Sequence, residues 1–62
     1  MLHLRIITPA EHTEETVTTL RGVPGTYNLI VLPGAAREPE GDVILCDVGR
    51  ESGDDAVHAL RR

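Results

Sequence analysis

An α+β fold built on one antiparallel sheet is the class this sequence predicts, and three observations predict it. "MLHLRII" alternates with period two. The stretch after it spaces its apolar residues at three and four. Two aliphatic runs, "NLIVL" and "VILCDV", then lie close together on either side of a segment rich in Pro, Gly and acid. The 62 residues make one small domain, residues 1–62, and a chain this short buries only about 60% of the surface that it exposes when unfolded.

In the first strand Leu2, Leu4 and Ile6 alternate with His3, Arg5 and Ile7, the pattern of one buried face. "TPAE" then reads as a helix start. Thr8 is placed to cap, Pro9 suits the first helical position, and Glu11 sits where a capping box wants a carboxylate. The first helix is expected from Pro9 to about Arg21, with Ala10, Thr13, Val17 and Leu20 on one stripe and Gly22 closing it in the left-handed conformation. Glu11, Glu14 and Glu15 near its start and Arg21 at its end complement the helix dipole, although a solvated acidic face is the better account of the glutamates.

"VPGT" carries the Pro-Gly pair of a turn, and a second strand is expected from Tyr27 to Leu32. "PGAAREPEGD" reads as a connection, and Val43 to Val48 as a third strand. Strands so close in sequence default to an antiparallel hairpin, because a parallel return needs a longer crossover. After Gly49, the spacing of Gly53, Ala56, Val57 and Leu60 predicts a second helix, starting near Arg50 or at Ser52. It is still running at Arg62.

The order β-α-β-β-α is five of the six elements of a ferredoxin-like βαββα(β) sandwich, with both helices on one face of the sheet and the last strand missing from this chain. The third strand then lies between the first and second, antiparallel to both. The free edge of the first strand is open to an added strand.

If Leu2, Leu4, Ile6, Ile44, Cys46 and Val48 point at the helices, the opposite face receives His3, Arg5, Ile7, Val43, Leu45 and Asp47. That face is half apolar where a solvated one would alternate with polar residues, which makes those six residues the candidate interface. His3 or Arg5 is placed to pair with Asp47 across the first and third strands.

The formal net charge of −4 and the absence of Phe and Trp argue against a nucleic-acid partner, which needs a cationic face and stacking rings. One cysteine, Cys46, cannot make an internal disulfide, and among aliphatic neighbours it reads as a buried, inert thiol in a reducing compartment. "MLHLRII" is too short and too interrupted for a signal peptide, and no run approaches membrane-spanning length, so the chain as given reads as soluble and cytoplasmic.

Catalytic, cofactor-binding and metal-binding residues are not expected. His3, His12 and His58 fall on separate elements without HxH or HxxxH spacing, and surface histidines account for them. Asp54 and His58 share a helix face but lack a nucleophile. "LPGAAREPEGD" leads into a strand instead of a helix, has no GK[ST], and carries Glu38, Glu40 and Asp42, which would repel a phosphate.

"MLHLRIITPAE", "NLIVLPGAA" and "GDVILCDVGRES", in that order and covering most of the chain, resemble the N-terminal soluble region of a family of bacterial and archaeal membrane proteins known as domain of unknown function 389, or the uncharacterised hydrophobic domain family. The resemblance implies a small cytosolic domain that precedes transmembrane helices, with the second helix running on to a further strand. It implies location and architecture, and no catalytic motif accompanies it. This chain lacks the membrane part, so the resemblance makes it an excised or truncated piece.

The expectation is therefore a non-enzymatic cytosolic regulatory or assembly domain of a membrane protein. It would act as a homo-oligomer through the sheet face or the edge of the first strand, with the transmembrane region of the full-length protein as its neighbour. The rival is a sensor resembling ACT domains, in which paired domains hold a small-molecule ligand, of unknown identity here, at their interface. An acylphosphatase-like use of the fold has little support, because no Arg-rich loop precedes the first helix.

Overall fold

Three antiparallel strands and a helix account for most of the chain in the computed structural model, which describes residues 1–49 and 58–60. β1 (Leu2–Thr8) leads through a 3₁₀ turn (Ala10–His12) into α1 (Thr13–Arg21). β2 (Thr26–Arg37) and β3 (Glu40–Val48) follow, and residues 58–60 are helical. The sheet order is β1-β3-β2, with β3 antiparallel to both neighbours. The expected start of the second helix and the Asp54–His58 pair lie outside the described residues.

The core lies between one sheet face and the helical layer. β3 sends Ile44, Cys46 and Val48 inward, and α1 meets them with Val17 and Leu20. Val23 is buried just beyond the helix, and Leu4, Ile6, Leu29, Val31, Ala59 and Leu60 pack around this centre. Leu20, Ile44 and Val48 are wholly enclosed, and full burial of such a side chain stabilises by about 1.5–3 kcal/mol. Of the expected helix stripe, Thr13, Val17 and Leu20 are buried. Ala10 is exposed.

The entry to α1 differs from the expected capping box. Pro9 is extended (φ −56°, ψ 142°) and precedes the 3₁₀ turn, and no side chain caps either segment. β1 stays paired as far as Thr8↔Asp42, so the chain needs a corner before it can wind. The Thr8 hydroxyl accordingly donates toward the Pro9 carbonyl, at 3.4 Å, instead of accepting from a helix amide.

The exit differs too. Gly22 is right-handed (φ −77°, ψ −9°), and the left-handed glycine is Gly25 (φ 86°). The reason is a second closure: the Val23 amide donates to Leu20 O at 3.1 Å, and the Thr26 amide returns to Val23 O at 3.3 Å. Val23-Pro24-Gly25-Thr26 is thereby a Pro-Gly turn of the type that needs positive φ at its third residue.

The largest departure is in β2, which continues through "PGAAR" where a connection was expected. Its pairing with β3 runs Tyr27↔Asp47, Ile30↔Leu45, Leu32↔Val43 and Ala36↔Gly41. β2 therefore carries one extra residue between the first two of these pairs and two extra between the last two. Left-handed Asn28 (φ 56°) and Gly34 (φ 67°) mark the two bulges. Pro33, which cannot donate to a ladder, sits in the second, where pairing is interrupted. The hairpin connection shrinks to Glu38-Pro39, and Arg37 faces Glu40 across it.

At the start of β3, beside the hairpin, the backbones of Gly41 and the end of β1 are in close contact. A Cβ on Gly41 would lie 2.3 Å from the Thr8 carbonyl oxygen, whereas one on Gly49 would meet nothing within 4 Å. Gly41→Ala is expected to cost about 2–3 kcal/mol as an overpacked site, with Gly49→Ala close to neutral. Urea unfolding of the two variants against the parent chain checks the difference.

Candidate functional site

The register divides the sheet into two surfaces, because directly opposed residues of an antiparallel pair share a face. His3↔Asp47, Arg5↔Leu45 and Ile7↔Val43 lie on the face away from α1, and β2 adds Tyr27, Ile30 and Leu32 to it. The six candidate residues His3, Arg5, Ile7, Val43, Leu45 and Asp47 are thus brought onto one surface. Tyr27, Ile30 and Leu32 join them. Strict alternation backwards from Ile30 would have turned Tyr27 inward, and the extra residue at Asn28 resets it.

This open face is apolar and uncovered among the described residues. Ile7, Tyr27, Ile30 and Leu32 keep between 41% and 48% of their surface in solvent, with Val43 and Leu45 half-buried beside them. Tyr27, Ile30 and Leu32 follow one another along β2, and Val43 links Leu32 to Ile7 across β3, which makes a contiguous patch where scattered surface apolar residues do not.

At one end of the patch a polar row crosses all three strands. The His3 Nδ1–H donates to Asp47 Oδ1, since a carboxylate can only accept. Asn28 Nδ2 donates to Asp47 Oδ2 at 2.9 Å. The Asn28 bond first, and the His3 bond second, hold the Asp47 carboxyl below its ordinary range. Asn28 was not singled out from the sequence. Its only signal there is that Asn tolerates a left-handed backbone. A groove of about 290 Å³ runs past this row between Arg5, Leu45 and Ile30.

A second polar cluster joins the helical layer to the sheet. Buried Thr13, the first residue of α1, donates its hydroxyl to Asp42 Oδ2 at 2.6 Å, and the Gly34 amide donates to Asp42 Oδ1 at 2.7 Å. The hydroxyl bond and then the amide bond lower the Asp42 pKa, against an opposing effect of burial. An amide of the "LPGAA" bend therefore does bind an anion, and the anion is the chain's own carboxylate. The cleft beside it, about 620 Å³ in volume, opens between Pro9, Ala10 and the Arg37–Glu40 end of the hairpin.

The remaining candidates stay apart. Cys46 is buried on the helix side, and burial pushes its thiol pKa up, with Asp47 adding to the effect. His12 is exposed, its Nδ1 4.0 Å from Glu15 Oε2, and His58 is exposed on the second helical segment. Among the described residues no group of three His, Cys, Asp or Glu is arranged to hold a metal ion, and no helix is long and apolar enough to cross a membrane. Comparisons with protein-family models, curated proteins and solved structures find no match for this chain.

Both aspartates have folded pKa values below the unfolded one, about 3.9 for Asp. Their stabilisation is complete above that value and is lost as pH falls through the folded values, because the unfolded chain binds more protons there. Urea midpoints along an acid titration are expected to hold down to that value and then decline. Thr13→Val, which removes the foremost hydrogen bond to Asp42, is expected to make the decline shallower.

Proposed function

We propose that the chain is a non-catalytic regulatory or assembly module that pairs with a second copy through its open sheet face, with the edge of β1 as the second route. The observation that carries this reading is the contiguous exposure of Ile7, Tyr27, Ile30 and Leu32 on the face away from α1. With strands about 4.8 Å apart and rising about 3.3 Å per residue, the face covers on the order of 400 Å² in plan. Two such faces give about 800 Å² in plan, below the roughly 1,200 Å² at which stable specific interfaces begin, which suits a weak, reversible dimer and not a permanent one.

A non-enzymatic role is supported by the way the one close His–Asp pair among the described residues is engaged. Asp47 is shared by His3 and Asn28, and Cys46 is buried on the other side of the sheet. The strand order β1-β3-β2 with α1 between β1 and β2 is compatible with a ferredoxin-like plan. The resemblance of the three sequence stretches to the uncharacterised hydrophobic domain family supports a cytosolic place beside the transmembrane region of a membrane protein. The groove at Arg5 favours a second reading, a small-molecule sensor similar to ACT domains.

Sedimentation across a wide concentration range is expected to return a mass that rises toward the dimer, and Leu32→Asp is expected to hold the chain monomeric. A parent chain that stays monomeric at the highest concentration overturns the assembly reading. If Leu32→Asp still dimerises and the β1 amides become protected from exchange, the edge of β1 is the interface instead of the face.

A further inference from the structure

We propose that the groove on the open face binds a small aliphatic carboxylate, with Arg5 as its anion anchor. The groove is formed by a single copy, but it lies on the face assigned to pairing, so a ligand and a second copy compete for it and the monomeric chain is where it is tested. Arg5, Leu45 and Ile30 form a row across the sheet, joined by the pairs Arg5↔Leu45 and Ile30↔Leu45. All three line the groove of about 290 Å³, with the His3–Asp47–Asn28 row along its side. The cation lies at the β1 end of the row and hydrocarbon at the β2 end.

Arg5 is exposed and makes no ion pair with an acid among the described residues. The same holds for Arg21 and Arg37, but these stand at a helix end and a hairpin tip. Arg5 stands mid-strand on an apolar face. The acid nearest along the face, Asp47, is held on both oxygens by His3 and Asn28 and so offers Arg5 little. An edge-strand charge that blocks unwanted pairing is the simpler account of such an Arg, but it does not call for a groove beside it.

Size and charge select the ligand. The row from Arg5 to Ile30 spans two strand spacings, roughly 10 Å, which accommodates a carboxylate over the guanidinium and a tail of about four to six carbons over Leu45 and Ile30. The volume is at the small end for ligand sites, which run from about 300 Å³. One guanidinium beside Asp47, on a chain of net charge −4, suits a monovalent carboxylate better than a phosphate ester.

The test is a two-dimensional amide NMR titration of the 62-residue chain with hexanoate, hexanamide and inorganic phosphate, repeated in the Leu32→Asp background. Hexanoate is expected to give saturable shifts at Arg5, Leu45 and Ile30 in Leu32→Asp, and weaker ones in the parent chain at concentrations where it pairs, and hexanamide none in either. Arg5→Gln is expected to weaken binding about tenfold, the effect of one charge-assisted hydrogen bond, with Arg5→Lys between the two. Equal shifts in Arg5→Gln, an equal response to phosphate, or shifts confined to other residues would overturn the proposal. Binding that survives in monomeric Leu32→Asp upholds the site even if the parent chain never dimerises.

Discussion

β3 is hydrogen-bonded on both sides and sends alternate residues, Ile44, Cys46 and Val48, into the apolar layer under α1. That double pairing is what allows so short a chain to fold as a sheet, since an isolated two-stranded hairpin is marginal in water. It also fixes the limit of the design. One helical layer covers one side of three strands, and the residues between the inward ones, Val43, Leu45 and Asp47, are left for the opposite surface.

Asp42 does a related job at the end of the sheet. Its carboxylate receives the Thr13 hydroxyl at the first turn of α1 and the Gly34 amide in the second bulge of β2, so one side chain on β3 joins the helix to the irregular strand. Negative charge beside a helix N-terminus is favourable, and α1 has no side-chain cap of its own. A carboxylate that is remote in sequence and adjacent in space thus stands where the local capping box was expected.

β1, α1 and β3 were legible because each carries a simple period: Leu4 and Ile6, with Leu2 at the strand end in register but exposed; Thr13, Val17 and Leu20; Ile44, Cys46 and Val48. The face that holds His3, Arg5 and Asp47 followed from the same alternation. β2 was only partly legible. Pro33 and Gly34 are loop residues by every local rule, and what keeps them in a strand is the ladder resuming at Ala36↔Gly41, a long-range fact. The polar row was half legible for the same reason: His3 and Asp47 share a face by parity, while Asn28 reaches Asp47 only because it steps out of the alternation.

The two outer strands differ in a way that governs how copies can join. β1 pairs with β3 over Leu2–Thr8 without a break in register, and its outer side is a regular template among the described residues. β2 is interrupted twice, with Pro33 and two left-handed residues, the kind of edge that resists further strands. A molecule with two equivalent regular edges could stack head to tail without end. With one regular edge and one broken one, edge joining consumes the regular edge of both partners and stops at a closed two-fold pair.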